Sequence, residues 1–446
     1  MSASLDSAIL QGASTLLNAG GMYVAPLEYQ GYREEILASK TSAWIGTALN
    51  ESPIFDVTGP DAARFLTSIC VNNFLKMKEG SIRHAIICND KGQMLTDGVV
   101  MKIGDDHFRT YWLMPIIDFH LSQTDLDVSG ENISGTEFFI QIAGPRSLEM
   151  LERAAQADMH DIAFARHKVV DFGGISVRVL RLGMAGSLAY EIHGPMDQLE
   201  AVYSRLWSVA EPMGASKLGR KAYLMNHTEA GFANIFIHFP MPWFEEPALA
   251  EYCSQQPMAL FFNFHRDLVG SVGNDLETRF KTPYDVGWGS LVRFDHDFPG
   301  REALEGIADN PPNEMVTLEW NADDVAEIIA ARYRGEEGVD YDPIDDRPSD
   351  NYFTNPNGFH YHADIVMVDG RVIGSSTGRI RSVYYRRMIS LGFIKKQFAV
   401  DGQQLSLLWG SPGTPQKEIR VKVARVPYMD LANNREIDLN DIPRLA

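Results

Sequence analysis

Cysteine is scarce in this chain of 446 residues, which contains only Cys70, Cys88 and Cys253. An odd number of cysteines in unrelated contexts argues against a disulfide framework or a zinc knuckle and predicts reduced, buried thiols. Long apolar runs are missing as well, since no stretch approaches the roughly 18 residues of a membrane span. The N-terminus shows no basic region followed by an apolar one, so the sequence predicts a cytoplasmic protein.

Positive charge is also in short supply, with 40 Lys and Arg against 59 Asp and Glu and a net charge of −19. A chain this acidic repels phosphate backbones and anionic lipid surfaces, so nucleic acids and membranes are disfavoured as partners. The composition, 45% hydrophobic and 22% charged, is that of a globular protein. The length exceeds what one core usually supports and predicts two or three domains.

Nucleotide and hydrolytic chemistry have little support. The chain has neither a G-x-x-x-x-G-K-[ST] loop nor a G-x-G-x-x-G turn after a strand, and we expect no nucleophile elbow of the G-x-S-x-G type. His360 and His362 alternate along a predicted strand, and Asp295 and Asp297 flank a histidine, but neither pair has further ligands at metal spacing. The sequence therefore predicts no metal site.

Turn signals between apolar stretches predict an α+β protein. Residues 82–88 and 94–103 flank the turn Asn-Asp-Lys-Gly, which is typical of a β-hairpin, and Asp97 interrupts the second strand. After the Asp- and Gly-rich stretch 333–358, nearly all of the chain has the pattern of strands and turns. This part predicts a small β-barrel at the C-terminal end.

A strand, a Gly-Pro pair and a helix follow one another at two places in the chain. The first copy contains Gly59-Pro60, with Asp61 placed to cap the helix, and the second contains Gly144-Pro145. Two copies of the same unit suggest subdomains of related shape.

Three carboxylates lie in apolar sequence, namely Asp97, Glu191 and Glu229. Burying a carboxylate is costly unless it is paired or hydrogen-bonded, so each of them needs a partner. For each one alone, a structural partner such as a backbone amide or an arginine is a sufficient explanation. The three together fit a ligand with several N–H donors better.

These carboxylates belong to a series of motifs that resembles the folate-dependent aminomethyltransferase family, the glycine-cleavage T protein and its relatives. The resemblance covers nearly the whole chain and depends on the order and spacing of short pieces. The pieces are Val57-Thr-Gly-Pro-Asp-Ala62, Asp90-Lys-Gly-Gln93, Asp97-Gly98, Ile142-Ala-Gly-Pro145, Tyr190-Glu-Ile192, Gly219-Arg-Lys-Ala-Tyr-Leu-Met-Asn-His-Thr-Glu-Ala-Gly231, Val286-Gly-Trp-Gly289, Phe294-Asp-His-Asp-Phe-Pro-Gly-Arg-Glu-Ala-Leu304, Gly374-Ser-Ser-Thr377 and Val426-Pro-Tyr428.

The resemblance implies a fold of two intertwined α+β subdomains with a C-terminal β-barrel, here divided into residues 1–310 and 311–446. Within the family the chain looks most like the tetrahydrofolate-dependent aromatic O-demethylases that act on vanillate and 3-O-methylgallate. Tyr223 is one reason, because it stands where the T protein has an arginine. The implied activity moves a methyl or methylene group from an aromatic ether to tetrahydrofolate and leaves a phenol or a catechol.

The resemblance also implies roles for individual residues. Glu191 and Glu229, with Tyr190 beside them, would bind the pterin, whose N–H donors an ionised carboxylate can accept. Asp97 would lie near the reactive nitrogen and manage protons. Cleavage of an aryl ether needs protonation of the departing phenolate, for which Tyr223 is the candidate acid or orienting group. Packing is an equally open role for Tyr223.

Contacts with an aromatic substrate are expected from the ring-rich segment 232–244, although aromatic residues also dominate cores. Leu113 stands near the position at which vanillate-type enzymes place an arginine for a carboxylate. A neutral methoxyaryl or methylenedioxyphenyl substrate, such as a lignan, is therefore favoured. The candidate substrate contacts are Tyr23, Tyr29, Trp112, Leu113 and Trp243.

Two alternatives remain open at this stage. The first is demethylation of a sulfonium or amine donor, whose cation Trp112 and Trp243 could stabilise through their rings. The second is a folate-binding protein without transferase activity, since a ligand site does not prove turnover.

Overall fold

A computed structural model describes residues 7–18, 24–47, 53–184, 186–235, 237–255, 265–346 and 358–444. The strands are β1 (Thr15–Asn18), β2 (Val24–Glu28), β3 (Trp44–Thr47), β4 (Ile54–Thr58), β5 (Ile82–Cys88), β6 (Met94–Gly104), β7 (His107–Tyr111), β8 (Ser129–Asn132), β9 (Glu137–Ala143), β10 (His167–Asp171), β11 (Ser176–Leu180), β12 (Ala189–Pro195), β13 (Ser216–Lys217), β14 (His265–Val269), β15 (Asn313–Trp320), β16 (Gly358–Val368), β17 (Arg371–Ser382), β18 (Arg387–Lys395), β19 (Gln404–Trp409) and β20 (Lys417–Ala424). The helices are α1 (Tyr32–Thr41), α2 (Ala62–Ile69), α3 (Ile116–Leu121), α4 (Ser147–Ala155), α5 (Leu199–Ala210), α6 (Arg220–Glu229), α7 (Pro247–Ser254), α8 (Leu276–Arg279), α9 (Arg301–Ala308) and α10 (Ala322–Ala331).

Two sheets form the N-terminal core, and the chain passes between them. A five-stranded sheet has the order β5-β6-β7-β4-β8, and a six-stranded sheet has the order β10-β11-β12-β9-β3-β13. The chain enters the six-stranded sheet at β3, builds the five-stranded sheet from β4 to β8, and then returns at β9. This path confirms the predicted pair of intertwined α+β subdomains.

The local predictions for this core are confirmed in part. The predicted hairpin forms from β5 and β6, and the two Gly-Pro units each join a strand to a helix, β4 to α2 and β9 to α4. Gly59 and Gly144 adopt φ angles of 121° and 139°, where glycine is favoured. The capping prediction was wrong, because the Asp61 side chain accepts instead from the backbone N–H of Asp127 at 3.1 Å.

The C-terminal part contains the predicted barrel. Strands β16-β17-β18-β15-β20-β19 follow one another, and pairing of β19 with β16 closes the ring. All six follow residue 310, while β14, which precedes it, pairs in parallel with β16. The predicted boundary between 310 and 311 stays a prediction. Residues 374–378, Gly-Ser-Ser-Thr-Gly, lie inside β17 and form no strand-to-helix elbow.

The segment after the barrel returns to the N-terminal core. Arg181 donates from Nε to the Asn434 side chain at 3.1 Å, and Leu439 is buried within the core of the six-stranded sheet. His160 lies between two acceptors: its Nδ1 is 2.8 Å from Glu152 Oε1 and its Nε2 is 3.1 Å from the Ile442 carbonyl oxygen. Both acceptors are satisfied when each ring nitrogen carries a hydrogen, so the protonated ring is the form that anchors the tail.

The cysteine prediction is confirmed, since all three thiols are buried and free. Across the described ranges, no helix combines the length and the apolarity that crossing a bilayer requires.

We expect the His160 anchor to make stability depend on pH. Burial opposes the charged ring, but the Ile442 carbonyl and the Glu152 carboxylate together raise the pKa of His160 above its usual value. Its stabilising effect is complete below the unfolded pKa of about 6.5 and disappears as pH rises through the folded pKa.

His160→Gln should therefore lower the free energy of unfolding more at pH 6 than at pH 9, as measured by urea denaturation. An equal loss at both pH values would show that the ring anchors the tail by packing alone.

Candidate active site

Asp97 lies next to a histidine across the hairpin of β5 and β6. Its Oδ2 atom is 2.7 Å from Nε2 of His84. The two residues are diagonal neighbours, because His84 pairs with Val99 and Asp97 pairs with Ile86. The side chains are 14% exposed for Asp97 and 22% for His84, so both can be reached by a ligand. This pair offers a carboxylate and an imidazole that can share one proton.

Two large rings pack against His84. Trp288 meets it edge to face with ring centroids 4.5 Å apart, and Phe232 lies at 5.7 Å. Phe232 and Trp288 also contact each other at 5.2 Å. We call these three residues the aromatic cluster. It supplies ring surfaces beside Asp97. An aryl ligand needs such surfaces to pack against.

Tyr223, on α6, is linked to the same cluster through one intervening ring, that of His227. Its ring is 5.4 Å from that of His227, in an edge-to-face arrangement, and His227 is 6.0 Å from Phe232. Burial lowers the pKa of His227 to about 4, so this ring is neutral at pH 7. Its Nδ1 donates to the Phe232 carbonyl at 3.3 Å. A series of ring contacts thus connects Tyr223 with Asp97.

Glu191 is held from two sides on β12. Gln141, on the neighbouring strand β9, donates from Nε2 to its Oε1 at 3.0 Å. On the other side, Nε2 of His193 lies 3.2 Å from its Oε2. The remaining polar atom of Gln141, Oε1, is buried and has no hydrogen-bond partner among the residues that the structure describes. A carboxylate and an amide oxygen therefore lie side by side as acceptors.

These acceptors match a ligand that presents several N–H donors. A reduced pterin does so, whereas a phosphate or carboxylate would offer only further acceptors. A buried amide oxygen without a partner costs about 1–3 kcal/mol, which a ligand donor would recover. The residues around Glu191 thus fit the pterin that the resemblance implies.

Glu229 does not join this group of acceptors. Its Oε2 is 2.8 Å from Nζ of Lys40, with side chains 1% exposed for Lys40 and 2% for Glu229. Its Oε1 accepts from Ser382 Oγ at 2.5 Å. Both of its oxygens accept hydrogen bonds inside the protein, as those of Glu191 do, but its side chain is less exposed, at 2% against 9% for Glu191. The pterin contact of Glu229 stays a prediction. The residue connects α1, α6 and β17.

Tyr190 and Tyr29 also lie away from the site. Successive residues of a strand point to opposite faces, and Tyr190 faces the apolar core on the face opposite Glu191. Tyr29 is buried and donates from its hydroxyl to the Ile9 carbonyl at 2.6 Å. The placement of these two tyrosines does not support the pterin contact of Tyr190 or the substrate contact of Tyr29, and both stay predictions.

Two of the expected substrate contacts support the strand that carries Asp97. Leu113 is fully buried in the core of the five-stranded sheet and packs against Gly98, where an added Cβ would lie 3.0 Å from Leu113 Cδ2. Its burial gives no support to a contact with substrate, which stays a prediction. Trp243 donates from Nε1 to the Leu95 carbonyl at 2.5 Å. Its indole thus fixes β6 two residues before Asp97.

Trp112 has an unusual backbone. Its φ angle of 68° lies in the left-handed region, which bulky residues rarely adopt. Its carbonyl oxygen accepts a hydrogen bond from Oγ1 of Thr96 at 2.8 Å, and Thr96 directly precedes Asp97 in the sequence. Strain of this kind clusters at functional sites, so Trp112 stays a proposed ring contact. Tyr23 lies outside the described residues.

Sequence reasoning missed His84, Gln141 and His193. The hairpin register alone would have placed His84 diagonal to Asp97, because the turn between β5 and β6 sets that register. Period-two spacing puts His193 on the face of Glu191. Gln141 had no such local signal, because its place beside Glu191 depends on pairing of β9 with β12.

The comparisons with known proteins agree with one another. Residues 11–236 match the family model described as the GCVT N-terminal domain. The chain is 55% identical over 444 residues to a sesamin methylene transferase of Sinomonas sp. (strain No.22), covering 99% of this chain and 98% of that protein. It is 29% identical over 450 residues to a syringate O-demethylase of Sphingobium sp. (strain NBRC 103272 / SYK-6), with 93% and 92% covered.

A solved structure shares the fold. The crystal structure of glycine cleavage system aminomethyltransferase T from Bartonella henselae has a TM-score of 0.66 and 15% sequence identity, over 95% of this chain and 96% of that chain. At this identity the likeness concerns the fold alone.

We expect substitutions of the two glutamates to have different effects. Glu229→Gln leaves the buried Lys40 charge unpaired and should lower the free energy of unfolding by about 3 kcal/mol in urea denaturation. Glu191→Gln should leave stability nearly unchanged and weaken tetrahydrofolate binding by about tenfold or more in calorimetry.

A matched double variant, Lys40→Met with Glu229→Gln, removes both charges and should recover part of the lost stability. A stable Glu229→Gln protein that binds folate as weakly as Glu191→Gln would contradict this separation of roles.

Proposed function

Because the chain belongs to the GCVT family of aminomethyltransferases, we propose that it transfers a one-carbon unit from an aromatic ether to tetrahydrofolate. The product is a phenol or a catechol. The observation that carries the proposal is 55% identity to a sesamin methylene transferase along nearly the whole chain. The acceptors at Glu191 and the aromatic cluster beside Asp97 are the local features that this activity needs.

Glu191 and Gln141 would hold the pterin ring through its N–H donors. Both side chains are buried, so water competes weakly for these hydrogen bonds and they contribute more than at an exposed site. When bound, tetrahydrofolate supplies the nitrogen nucleophile that receives the carbon. Asp97, on a neighbouring sheet, would accept the proton that this nitrogen loses.

His84 extends the proton capacity of Asp97. The 2.7 Å contact allows a proton taken by the carboxylate to pass to the imidazole. Because His84 also touches Trp288, the same imidazole borders the surface on which an aryl ring would stack. We assign Asp97 and His84 together as the acid–base pair of the site.

Tyr223 is the proposed donor to the departing oxygen. A phenol donates a hydrogen bond to a developing phenolate and can pass its proton to it, since their proton affinities are similar. The neutral ring of His227 packs edge to face against Tyr223 and orients it. Removal of the hydroxyl in Tyr223→Phe takes away this donor while keeping the ring.

A methylenedioxyphenyl donor is favoured over a methyl ether by the 55% identity to a sesamin methylene transferase. Methyl transfer frees one phenolic oxygen and needs one proton, whereas methylene transfer frees two oxygens and needs two. In both reactions the folate nitrogens lose as many protons as the oxygens gain, so the Asp97–His84 pair as acceptor and Tyr223 as donor would serve either one. Trp112 is the proposed further ring contact.

The proposal is tested by incubating the protein with tetrahydrofolate and matched methylenedioxyphenyl and methoxyaryl compounds. Mass spectrometry should detect a catechol together with 5,10-methylene-tetrahydrofolate from the first group. A phenol with 5-methyl-tetrahydrofolate would establish methyl transfer instead. Consumption of sulfonium or amine donors only, or folate binding without consumption of any donor, would overturn the proposal.

Asp97→Asn should reduce kcat by about 100-fold or more, because the amide cannot accept a proton. Steady-state kinetics with the accepted substrate measures the effect. The matched control is Asp118→Asn, which removes a carboxylate that accepts from Tyr252 at 2.5 Å in the same subdomain. A similar loss of kcat in the two variants would contradict an acid–base role for Asp97.

A further inference from the structure

A series of buried hydrogen bonds continues behind Glu191. Nε2 of His193 lies 3.2 Å from Glu191 Oε2, and its Nδ1 lies 2.9 Å from the hydroxyl of Tyr111. That hydroxyl is in turn 3.1 Å from Oε2 of Glu137. His193 and Tyr111 are 3% and 4% exposed. We call this series the Tyr111 relay.

The relay crosses from one sheet to the other. Glu191 and His193 lie on β12 of the six-stranded sheet, whereas Tyr111 ends β7 of the five-stranded sheet. The carbonyl of Tyr111 also abuts Gly98, where a Cβ would overlap it, next to Asp97. Tyr111 therefore touches both sides of the site: the strand of Asp97 through its backbone and Glu191 through His193.

The number of hydrogens in the relay fixes the direction of one hydrogen bond. Tyr111 has a single hydroxyl hydrogen, which it donates to Glu137, because an ionised carboxylate can only accept. The hydroxyl oxygen of Tyr111 is then left to accept from the Nδ1–H of His193.

Charged groups surround the relay. Arg109 contacts Glu137, and Arg178 lies opposite His193 in the register of β11 and β12. The neighbouring ring of His167 has its pKa lowered to about 4, mainly by burial. The further charged group at the outer end is Asp56, which is 2.7 Å from Arg109 Nε. Two guanidinium groups thus lie near the carboxylates of the relay.

We propose that Tyr111 and His193 are positioning residues that hold Glu191 in the orientation that the pterin requires. The proposal rests on the proposed function, because it assigns the N–H donors of tetrahydrofolate to Glu191. Gln141 holds one carboxylate oxygen and His193 holds the other. The lone pairs that remain, together with the unpaired oxygen of Gln141, then face the ligand in a fixed geometry.

The test is Tyr111→Phe, which keeps the ring that packs on His193 and removes only the hydroxyl. With Nδ1 unpaired, His193 can rotate or change tautomer and no longer holds Glu191. We expect the Kd of tetrahydrofolate to rise about tenfold, roughly the effect of one buried hydrogen bond. The KM for folate should rise in parallel, while kcat at saturating folate stays within about threefold.

A second variant separates positioning from general loss of packing. If Tyr111 acts through His193, then Tyr111→Phe should change the Kd by less than about twofold in a His193→Gln background. Tyr252→Phe is the matched control, since it removes a phenol-to-carboxylate hydrogen bond at Asp118. It should leave folate binding unchanged.

The outcomes distinguish this inference from the proposed function. A wild-type protein that does not bind tetrahydrofolate would overturn both. Normal wild-type binding with an unchanged Kd in Tyr111→Phe would overturn the relay alone. Equal weakening by Tyr111→Phe in both backgrounds, or a fall in kcat without a rise in KM, would also overturn the positioning role.

Discussion

The buried ion pair between Lys40 and Glu229 is the interaction on which the arrangement of the site depends. Its partners are nearly inaccessible, and Ser382 of the barrel completes the hydrogen bonding of the carboxylate. Because Glu229 is the last residue of α6, the pair fixes the end of the helix that also carries Tyr223 and His227. Removing the side chain of either partner would leave the charge of the other unpaired in an apolar interior. The barrel thus takes part in the site by orienting α6, without having to supply a reacting group.

The groups proposed to bind and to react come from different layers of the fold. Asp97 and His84 belong to the five-stranded sheet, Glu191 to the six-stranded sheet, and Tyr223 to a helix that is anchored on the barrel. Such a distribution suits a reaction between two bound molecules, because each can be held by its own wall while their reacting atoms meet between them. It also explains why contacts between the layers, rather than residues within one layer, decide the geometry of the site.

Local patterns in the sequence predicted the elements, and the family resemblance predicted their assembly. The hairpin that carries Asp97 was readable from its turn and from its alternation, and the barrel was readable from its strands. The sequence did not predict whether a carboxylate is free for a ligand, because that depends on the partners that other elements of the fold bring to it. Glu229 and Glu191 look alike in sequence. Glu229 pairs with Lys40, which is 189 residues away in the chain, whereas Glu191 accepts a hydrogen bond from Gln141. Tyr190 lies away from Glu191 for a simpler reason. Successive residues of a strand point to opposite faces, so these two neighbours on β12 face opposite sides.

The return of the C-terminal tail to the core has a consequence for the timing of biosynthesis. Arg181 and Asn434 are 253 residues apart, and the tail supplies Leu439 to the core of the six-stranded sheet. At about 5–20 residues per second, a ribosome needs roughly 13 to 50 s to make that intervening stretch. During this interval the sheet lacks part of its cover and a partner for the His160 ring. A nascent chain therefore presents an incomplete apolar face to chaperones until residues 434–442 have been translated.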